Sequence, residues 1–372
     1  MFNKCEPFSR KLRKFIRTPG VFFRDYLYKK YPDIYNEIKC PQDEESILIQ
    51  HDLAMECQIN IDFPIDVVFT WVNDKDPEWQ RKYQSYIRTS TGNHGQYATD
   101  QARFTNHNEL YYAIKSVAKY LPWVRTIFLI TDNQKPVWLS EYPKVQLIDH
   151  SEIISSKYLP TFNSHVIEAH LHNIPNLAEN FIYFNDDVFV ARELPPGHFF
   201  KGNGLASIFI SRKSLSKMHE KGVLTPTLCA SLNSKKMISR DYGVNIDTPL
   251  VHTYIPLKKS IFNFVWDTYS EEIEAFLANK FRTNHDLNMA TFMVPWVAYA
   301  KGMGTLERDI CHYFNVRSQS AKKNYLLLKR IRDEGGGPHS FCANDFTTTK
   351  AALQDYQLAL LSMLDFYYDN RK

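Results

Sequence analysis

No apolar run in this 372-residue chain approaches the length of about 20 residues that crosses a bilayer, and the N-terminus lacks the apolar core of a signal peptide. Six cysteines stand scattered at Cys5, Cys40, Cys57, Cys229, Cys311 and Cys342, with no Cys-x-x-Cys pair among them. Their scatter argues against a zinc ribbon or a thioredoxin-like site and suits a reducing compartment. There is no His-Glu-x-x-His, and the glycine run Gly335-Gly336-Gly337 is not followed by Gly-Lys-Ser/Thr, so neither a zinc protease nor a P-loop is written here. A formal net charge of only +4 gives no general reason to expect nucleic acid. Ordinary apolar and charged shares, 44% and 23%, describe a globular cytosolic enzyme of one large domain or two smaller ones.

What the chain does have is FIYFNDDVFV, residues 181 to 190. An aromatic and aliphatic run stops at Asn185-Asp186-Asp187 and then resumes. The pattern reads as a buried strand that delivers two adjacent carboxylates to its carboxyl end, where open α/β sheets bind ligands. Adjacent carboxylates repel and are costly to desolvate, which implies a cation or a hydrogen-bond network. A hard divalent cation such as Mg²⁺ takes oxygen ligands and is often shared with substrate phosphates. The same letters also fit a strand-ending turn with two solvated aspartates.

Upstream, TFNSHVIEAHLHNIP (161 to 175) predicts a short helix with Ser164 as N-cap and Pro175 at its end. His165, Glu168 and His172 then share one face. Each histidine alone reads equally as a surface or satisfied core residue.

The N-terminal stretch 9 to 31 interleaves eight cations, Arg10 to Lys30, with Leu12, Phe15, Ile16, Phe22, Phe23, Tyr26 and Leu27. Such a segment favours an anionic membrane surface, with Pro19-Gly20 breaking it in two. A basic, unstructured lead-in is the alternative. Residues 1 to 39 are therefore set apart, and the acidic, mixed residues 40 to 61 read as a linker.

The centre alternates strand and helix signals, which predicts an α/β fold. IDVVFTWV, RTIFLIT, VQLID and FIYF are strands; a helix starts at Pro77, and another runs from Asn108 to Leu121 at helical period. Beyond residue 200 the signal turns helical. Thr268 with Glu271 suggests a capping box. Residues 286 to 299 and 348 to 367 read as core helices, the second packing back through Leu353, Leu360, Leu361 and Leu364. Lys322 to Pro338, basic and then glycine-rich, reads as a loop able to close over phosphates.

Four blocks occur in order: IDVVFTWVND (65 to 74), ARFTNHNELYYAIKSVAKYLPWVRTIFLITDNQKPVWL (102 to 139), LPTFNSHVIEAHLHNIPNLAENFIYFNDDVFV (159 to 190) and FCAND (341 to 345), with VHTYIP and FRTNHDL between the last two. In them the chain resembles the Stealth family, the group that includes bacterial capsular polysaccharide phosphotransferases and the catalytic part of an animal N-acetylglucosamine-1-phosphotransferase. The resemblance spans residues 62 to 346 and leaves 347 to 372 as a C-terminal helix. It implies a Rossmann-like, GT-A-type sheet that binds a nucleotide sugar, with a helical C-terminal portion. It also implies transfer of hexose-1-phosphate, of an N-acetylhexosamine kind, from a UDP-sugar donor to a hydroxyl of a capsule oligosaccharide acceptor, with Mg²⁺ or Mn²⁺ as cofactor. The expected place is the cytoplasmic face of the bacterial inner membrane, beside the capsule export machinery.

By the same resemblance Asp186 and Asp187 hold the metal, Asp187 foremost, with Asp345 beside them. Glu168 supports the metal or the acceptor. Arg103 and Arg282 are bidentate-capable cations for phosphate oxygens, and Asp286 would orient Arg282 across one helical turn. His252 in VHTYIP is a base for the acceptor hydroxyl or a phosphate ligand. Asn73 and Asn344 complete the substrate site, and Glu109 lies at its edge or caps its own helix. Two departures weaken particular roles: Asn73-Asp74 stands where many members have Asp-Gly, and FCANDF lacks the further Asp found after Asn-Asp in many. An ordinary metal-dependent glycosyltransferase and a non-catalytic capsule-assembly scaffold are the competing readings.

Overall fold

Strands buried on both faces read as continuous apolar runs, and that is how the central sheet is written. A computed structural model describes residue 12 and residues 15–30, 42–89, 98–333, 336–347 and 352–369. β1 (Ile65–Thr70), β2 (Ile127–Thr131), β3 (Val145–Asp149) and β4 (Asn180–Asn185) lie parallel in the order β3-β2-β1-β4, with β7 (Ile255–Lys258) antiparallel on the β4 edge. Val67, Phe69, Leu129, Ile182 and Phe184 face one core, shared with the helix Glu109–Tyr120. Val68, Phe128, Ile130, Phe181 and Tyr183 face the other, shared with the helix Lys259–Leu277. The α/β expectation holds. Strand order runs out in opposite directions from β1, to β2 on one side and to β4 on the other, and at such a switch point the carboxyl ends leave a crevice.

The chain leaves β4 through Asp186 and Asp187 and enters β5 (Val188–Val190), which belongs to a second sheet, β5-β10-β9. β10 (Ser340–Asn344) runs antiparallel to β5 and parallel to β9 (Cys311–Asn315). The acidic pair therefore sits where the first sheet hands over to the second. The amide of Ala343 donates to the Asp187 carbonyl at 3.0 Å, which draws the end of β10 against the turn. A third, two-stranded sheet joins β6 (Ala206–Phe209) to β8 (Gly304–Glu307), so the part beyond residue 200 is helical with five strands threaded through it.

Several local expectations change. Within the stretch read as a linker, Gln42–Glu56 is a helix, with Ile49 buried and buried Glu45 at 2.8 Å from His312. Most of the predicted loop from Lys322 is helical: Ala321–Asp333 is a helix that buries Tyr325, Leu328 and Ile331 and turns its cations outward. The helix after Thr161 is capped by Asn163, not Ser164, and unwinds after Glu168 into a separate 3-10 turn, Leu171–Asn173. Thr268 caps nothing; it lies inside Lys259–Leu277 and donates to the Phe264 carbonyl at 2.7 Å. Residues 286 to 299 begin with a π-helical turn, Met289–Met293, before Val294–Ala300.

At the C-terminus Tyr356–Tyr368 is a helix that buries Leu360, Met363, Leu364, Tyr367 and Tyr368. At the N-terminus Pro19–Lys30 is a helix, and the Phe15, Phe22 and Phe23 rings meet edge to face at 5.2 to 5.8 Å. Residues 9–11, 13, 14, 31–41, 334, 335, 348–351 and 370–372, to which parts of the sequence reading referred, lie outside the described residues.

Candidate active site

Asp187 follows β4 by two residues, so the strand itself sets its position. Its Oδ2 accepts from Asn344 Nδ2 at 2.7 Å and from the Cys342 thiol at 3.3 Å, and His252 Nε2 lies 3.8 Å away. Its Oδ1 is buried and has no hydrogen-bond partner among the described residues. Burial works to raise the Asp187 pKa, but His252, Asn344 and Cys342 outweigh it and hold the carboxyl below its ordinary value.

Asp186 fares differently. Burial first, and the Asp187 charge second, push it up to about 7. Glu109, the first residue of the helix Glu109–Tyr120, is raised as well, by burial and then by Asp186. It accepts from its own His107 amide, so the turn it caps and the edge of the site are the same place. Three carboxyls thus converge with too little positive charge between them, and one buried carboxylate oxygen is unspent. That donor set fits a hard divalent cation held by Asp186 and Asp187. Cys342 is within ligand reach of Asp187 and His252, yet burial and Asp187 raise its pKa, which keeps it a thiol that donates to the carboxylate.

A second cluster gathers on the helix Ser164–Glu168. Ser164 Oγ receives Arg282 Nε at 3.0 Å and donates to Glu168 Oε1 at 3.0 Å. Arg282 Nη1 also reaches Thr227 Oγ1 at 3.3 Å. Glu168 is 5% exposed, and burial raises its pKa against His165, Ser164 and Arg103. Arg103 ends a 3-10 turn with its side chain exposed, and it acts electrostatically on Glu168. Tyr183, on β4, joins the clusters: burial raises its pKa, and Glu168, Asp186 and Asp187 all add to the rise.

Four predicted residues are placed differently. Asp286 does not touch Arg282, because the segment between them is not helical. Its oxygens instead accept from His165 Nδ1 (3.0 Å), Asn163 Nδ2 (2.9 Å), Asn279 Nδ2 (2.9 Å) and the amide and hydroxyl of Thr283. Asp345, expected beside the metal, gives its two oxygens to Arg317 and to His107 Nε2 instead, the latter at 2.8 Å. Asn73, just past β1, is pinned by Gln134, whose side chain accepts from its amide at 2.8 Å and donates to its carbonyl at 2.9 Å. His172 leaves the His165–Glu168 face, since the helix ends before it. Sequence reasoning missed Ser164 as a bridge between Arg282 and Glu168, Tyr183 as a link, and Cys342 as a donor. All three lie within the quoted blocks, but nothing in the residue types alone singles them out.

Beside the switch point, Tyr86, Lys82, Asp132, Asn133, Asp149 and Ser151 line a cavity of about 690 Å³ at the carboxyl ends of β2 and β3. Lys82 pairs with Asp132 at 3.0 Å.

Paired carboxylates, arginines and a histidine at the carboxyl ends of a parallel sheet equip a transferase that handles phosphorus-containing groups. Stealth conserved region 1 matches residues 63–91, conserved region 2 residues 103–208 and conserved region 3 residues 251–299. The chain belongs to the Stealth family. It is 57% identical over 354 residues to the capsular polysaccharide phosphotransferase LcbA of Aeromonas hydrophila, covering 95% of this chain and 98% of that one. It is 54% identical to LcbA of Neisseria meningitidis, covering 96% and 99%. An exopolysaccharide phosphotransferase of Streptomyces coelicolor is 33% identical, covering 82% of this chain and 50% of its own. Among solved structures, the galactosyltransferase LgtC aligns with a TM-score of 0.40 at 12% identity, over 80% of this chain and 95% of that one.

Proposed function

We propose that this protein transfers hexose-1-phosphate, of an N-acetylhexosamine kind, from a UDP-sugar to a hydroxyl of a growing capsule polymer. The acceptor oxygen attacks the phosphorus next to the sugar and forms a P–O bond. The bond from that phosphorus to the UMP oxygen breaks, UMP leaves, and the sugar C1–O bond stays intact. The product is a sugar–phosphate–sugar diester. The observation that carries the reading is the turn at Asp186 and Asp187, where converging carboxyls and one unspent oxygen ask for positive charge.

Mg²⁺ or Mn²⁺ bound by Asp186 and Asp187 would supply charge neutralisation for the donor diphosphate. Arg282, steadied by Ser164 and Thr227, presents its guanidinium fork to phosphoryl oxygens, and Arg103 adds a second cation. His252 is half-exposed beside Asp187, positioned to take the proton of the acceptor hydroxyl. Neighbouring strands lie about 4.8 Å apart, so a nucleotide seated in the cavity at β2 and β3 reaches the tip of β4 over roughly 10–15 Å.

The N-terminal segment would hold the enzyme at an anionic membrane near the export machinery. Support comes from exposed Phe15, Ile16, Phe23 and Tyr26 amid the basic residues. No helix among the described residues is long and apolar enough to cross a membrane. A chain lacking residues 1–31 should stay active and lose flotation with anionic liposomes; undiminished flotation refutes the assignment.

Chromatography of the spent nucleotide, with phosphorus NMR of the polymer, tests the reaction. UMP and a phosphodiester resonance are expected. UDP alone, without phosphodiester, makes the protein a glycosyltransferase; no consumption of any UDP-hexose leaves it a scaffold.

A further inference from the structure

Away from the transfer centre, the 3-10 turn Leu171–Asn173 and the helix Lys259–Leu277 enclose a second groove, of about 470 Å³. It is lined by His172, Asn173, Asn263, Trp266 and Asp267, none of which the transfer site uses. The indole of Trp266 is half-buried and fixed, because its Nε1 donates to the Ala169 carbonyl at 2.7 Å. Asn173 is tied from its amide nitrogen to the Ile153 carbonyl at 3.0 Å, which leaves its amide oxygen to accept from a ligand. Asn263 and Asp267 are exposed on successive turns of the helix.

His172 supplies the second observation. It is 8% exposed, its ring stacks on Phe262 at 5.4 Å, and its Nδ1 has no hydrogen-bond partner among the described residues. A buried polar atom without a partner is costly, so it is seldom left idle. Burial pushes the His172 pKa down to about 3, so at neutral pH the ring is uncharged and offers one donor and one acceptor.

A fixed indole, two carboxamides, a carboxylate and a neutral imidazole around an open groove match one ligand class well. A pyranose presents a C–H face to an aromatic ring and hydroxyls at its edge to just such groups. An anionic nucleotide or lipid headgroup suits it poorly, since the one formal charge lining the groove is that of Asp267. We infer that this groove binds a sugar residue of the polymer acceptor remote from the hydroxyl being modified, and so retains long chains between transfers. The inference rests on the reading of the acceptor as a saccharide polymer.

The test uses an oligosaccharide ladder released from the producing strain's capsule by mild hydrolysis. Binding is measured by NMR titration of the full chain without donor, so that nothing turns over. Trp266→Ala and the exposed pair Asn263→Ala/Asp267→Ala should each weaken binding of long oligosaccharides about tenfold. In transfer assays, KM for long acceptors should rise while kcat, and KM for the shortest acceptor, stay put, and products should shorten. If Trp266→Ala does not fold, the surface pair decides. Long oligosaccharides that bind both variants as they bind wild type overturn the groove. A wild type that binds the ladder through the groove but forms no phosphodiester overturns the proposed reaction instead and leaves the groove standing.

Discussion

Asp309, buried, and Asp187, partly buried, are both aspartates set among histidine, tyrosine and a β10 side chain, yet their oxygens keep different company. Asp309 Oδ1 accepts from Tyr254 at 2.6 Å and His198 Nε2 at 3.0 Å, and its Oδ2 from Ser340 at 2.8 Å. His198 in turn gives Nδ1 to Glu56 at 2.9 Å. Burial alone would strip the His198 proton, but Glu56 and Asp309 outweigh it and raise the pKa to about 9, so an imidazolium is clasped between two carboxylates. His339, packed against it, is pushed by burial down to about 3 and stays neutral. At the β4 tip the balance is left open: Asp187 keeps a bare Oδ1, and Asp186 is driven up to about 7. The difference is one of charge: Glu56 Oε2 and His339 Nε2 are also buried without a hydrogen-bond partner among the described residues, but there an imidazolium meets the carboxylates. Charge left over marks where a ligand completes the site.

Asp187→Asn breaks the comparison at its strongest point. The substitution keeps the shape and removes the charge, so the protein should fold while turnover collapses by several kcal/mol of barrier, on the order of a thousandfold or more. Steady-state kinetics with a matched thermal melt checks this. Substantial activity in the mutant, or full wild-type activity in EDTA, sinks the metal assignment.

How far the letters announced these two clusters differs for a physical reason. The centre of the open site was legible because it is local: a strand ends and two aspartates follow; Asn344, 157 positions from Asp187, was named only through the family resemblance. The helices from Pro77 and Glu109 were legible from their period. The compensated cluster was not, because Glu56 meets His198 across 142 positions and Glu45 meets His312 across 267. Read alone, the charges of residues 42–56 describe a solvated linker; only the fold brings their partners. Asp286 failed likewise, since four-residue spacing means a shared face only where the backbone is helical.

Glu56→Gln probes the compensated side. It strips one carboxylate from the clasped imidazolium, and breaking such a pair costs about 3–5 kcal/mol. The sign with pH follows from His198. Its folded pKa lies above the unfolded value, so its stabilisation is complete below about pH 6.5 and is lost as pH climbs through about 9. Melts from pH 6 to 10 should show wild type losing stability across that window and the mutant starting lower with a flatter decline. Equal melting temperatures at pH 6.5 would contradict the ion-pair account. Activity per folded molecule should persist, because the residue stands apart from the β4 tip.

Ser164→Ala sharpens the contrast with the smallest change. Ser164 stands between the clusters' habits: its hydroxyl is satisfied within the protein, yet both its partners are among the residues proposed for the reaction, Arg282 donating to it and Glu168 accepting from it. Removing it takes away the bridge between Arg282 and Glu168, worth about 1–2 kcal/mol and hence roughly five- to thirtyfold in turnover. Asn163 still caps the helix, so stability should change little. The bond from Ser164 favours ionised Glu168, so its loss should raise the Glu168 pKa further and move the acid limb of the pH–rate profile upward. Ser164→Thr, which keeps the hydroxyl, should restore both rate and profile. A Ser164→Ala enzyme with wild-type turnover and an unmoved acid limb would show that Arg282 and Glu168 hold their places without the bridge.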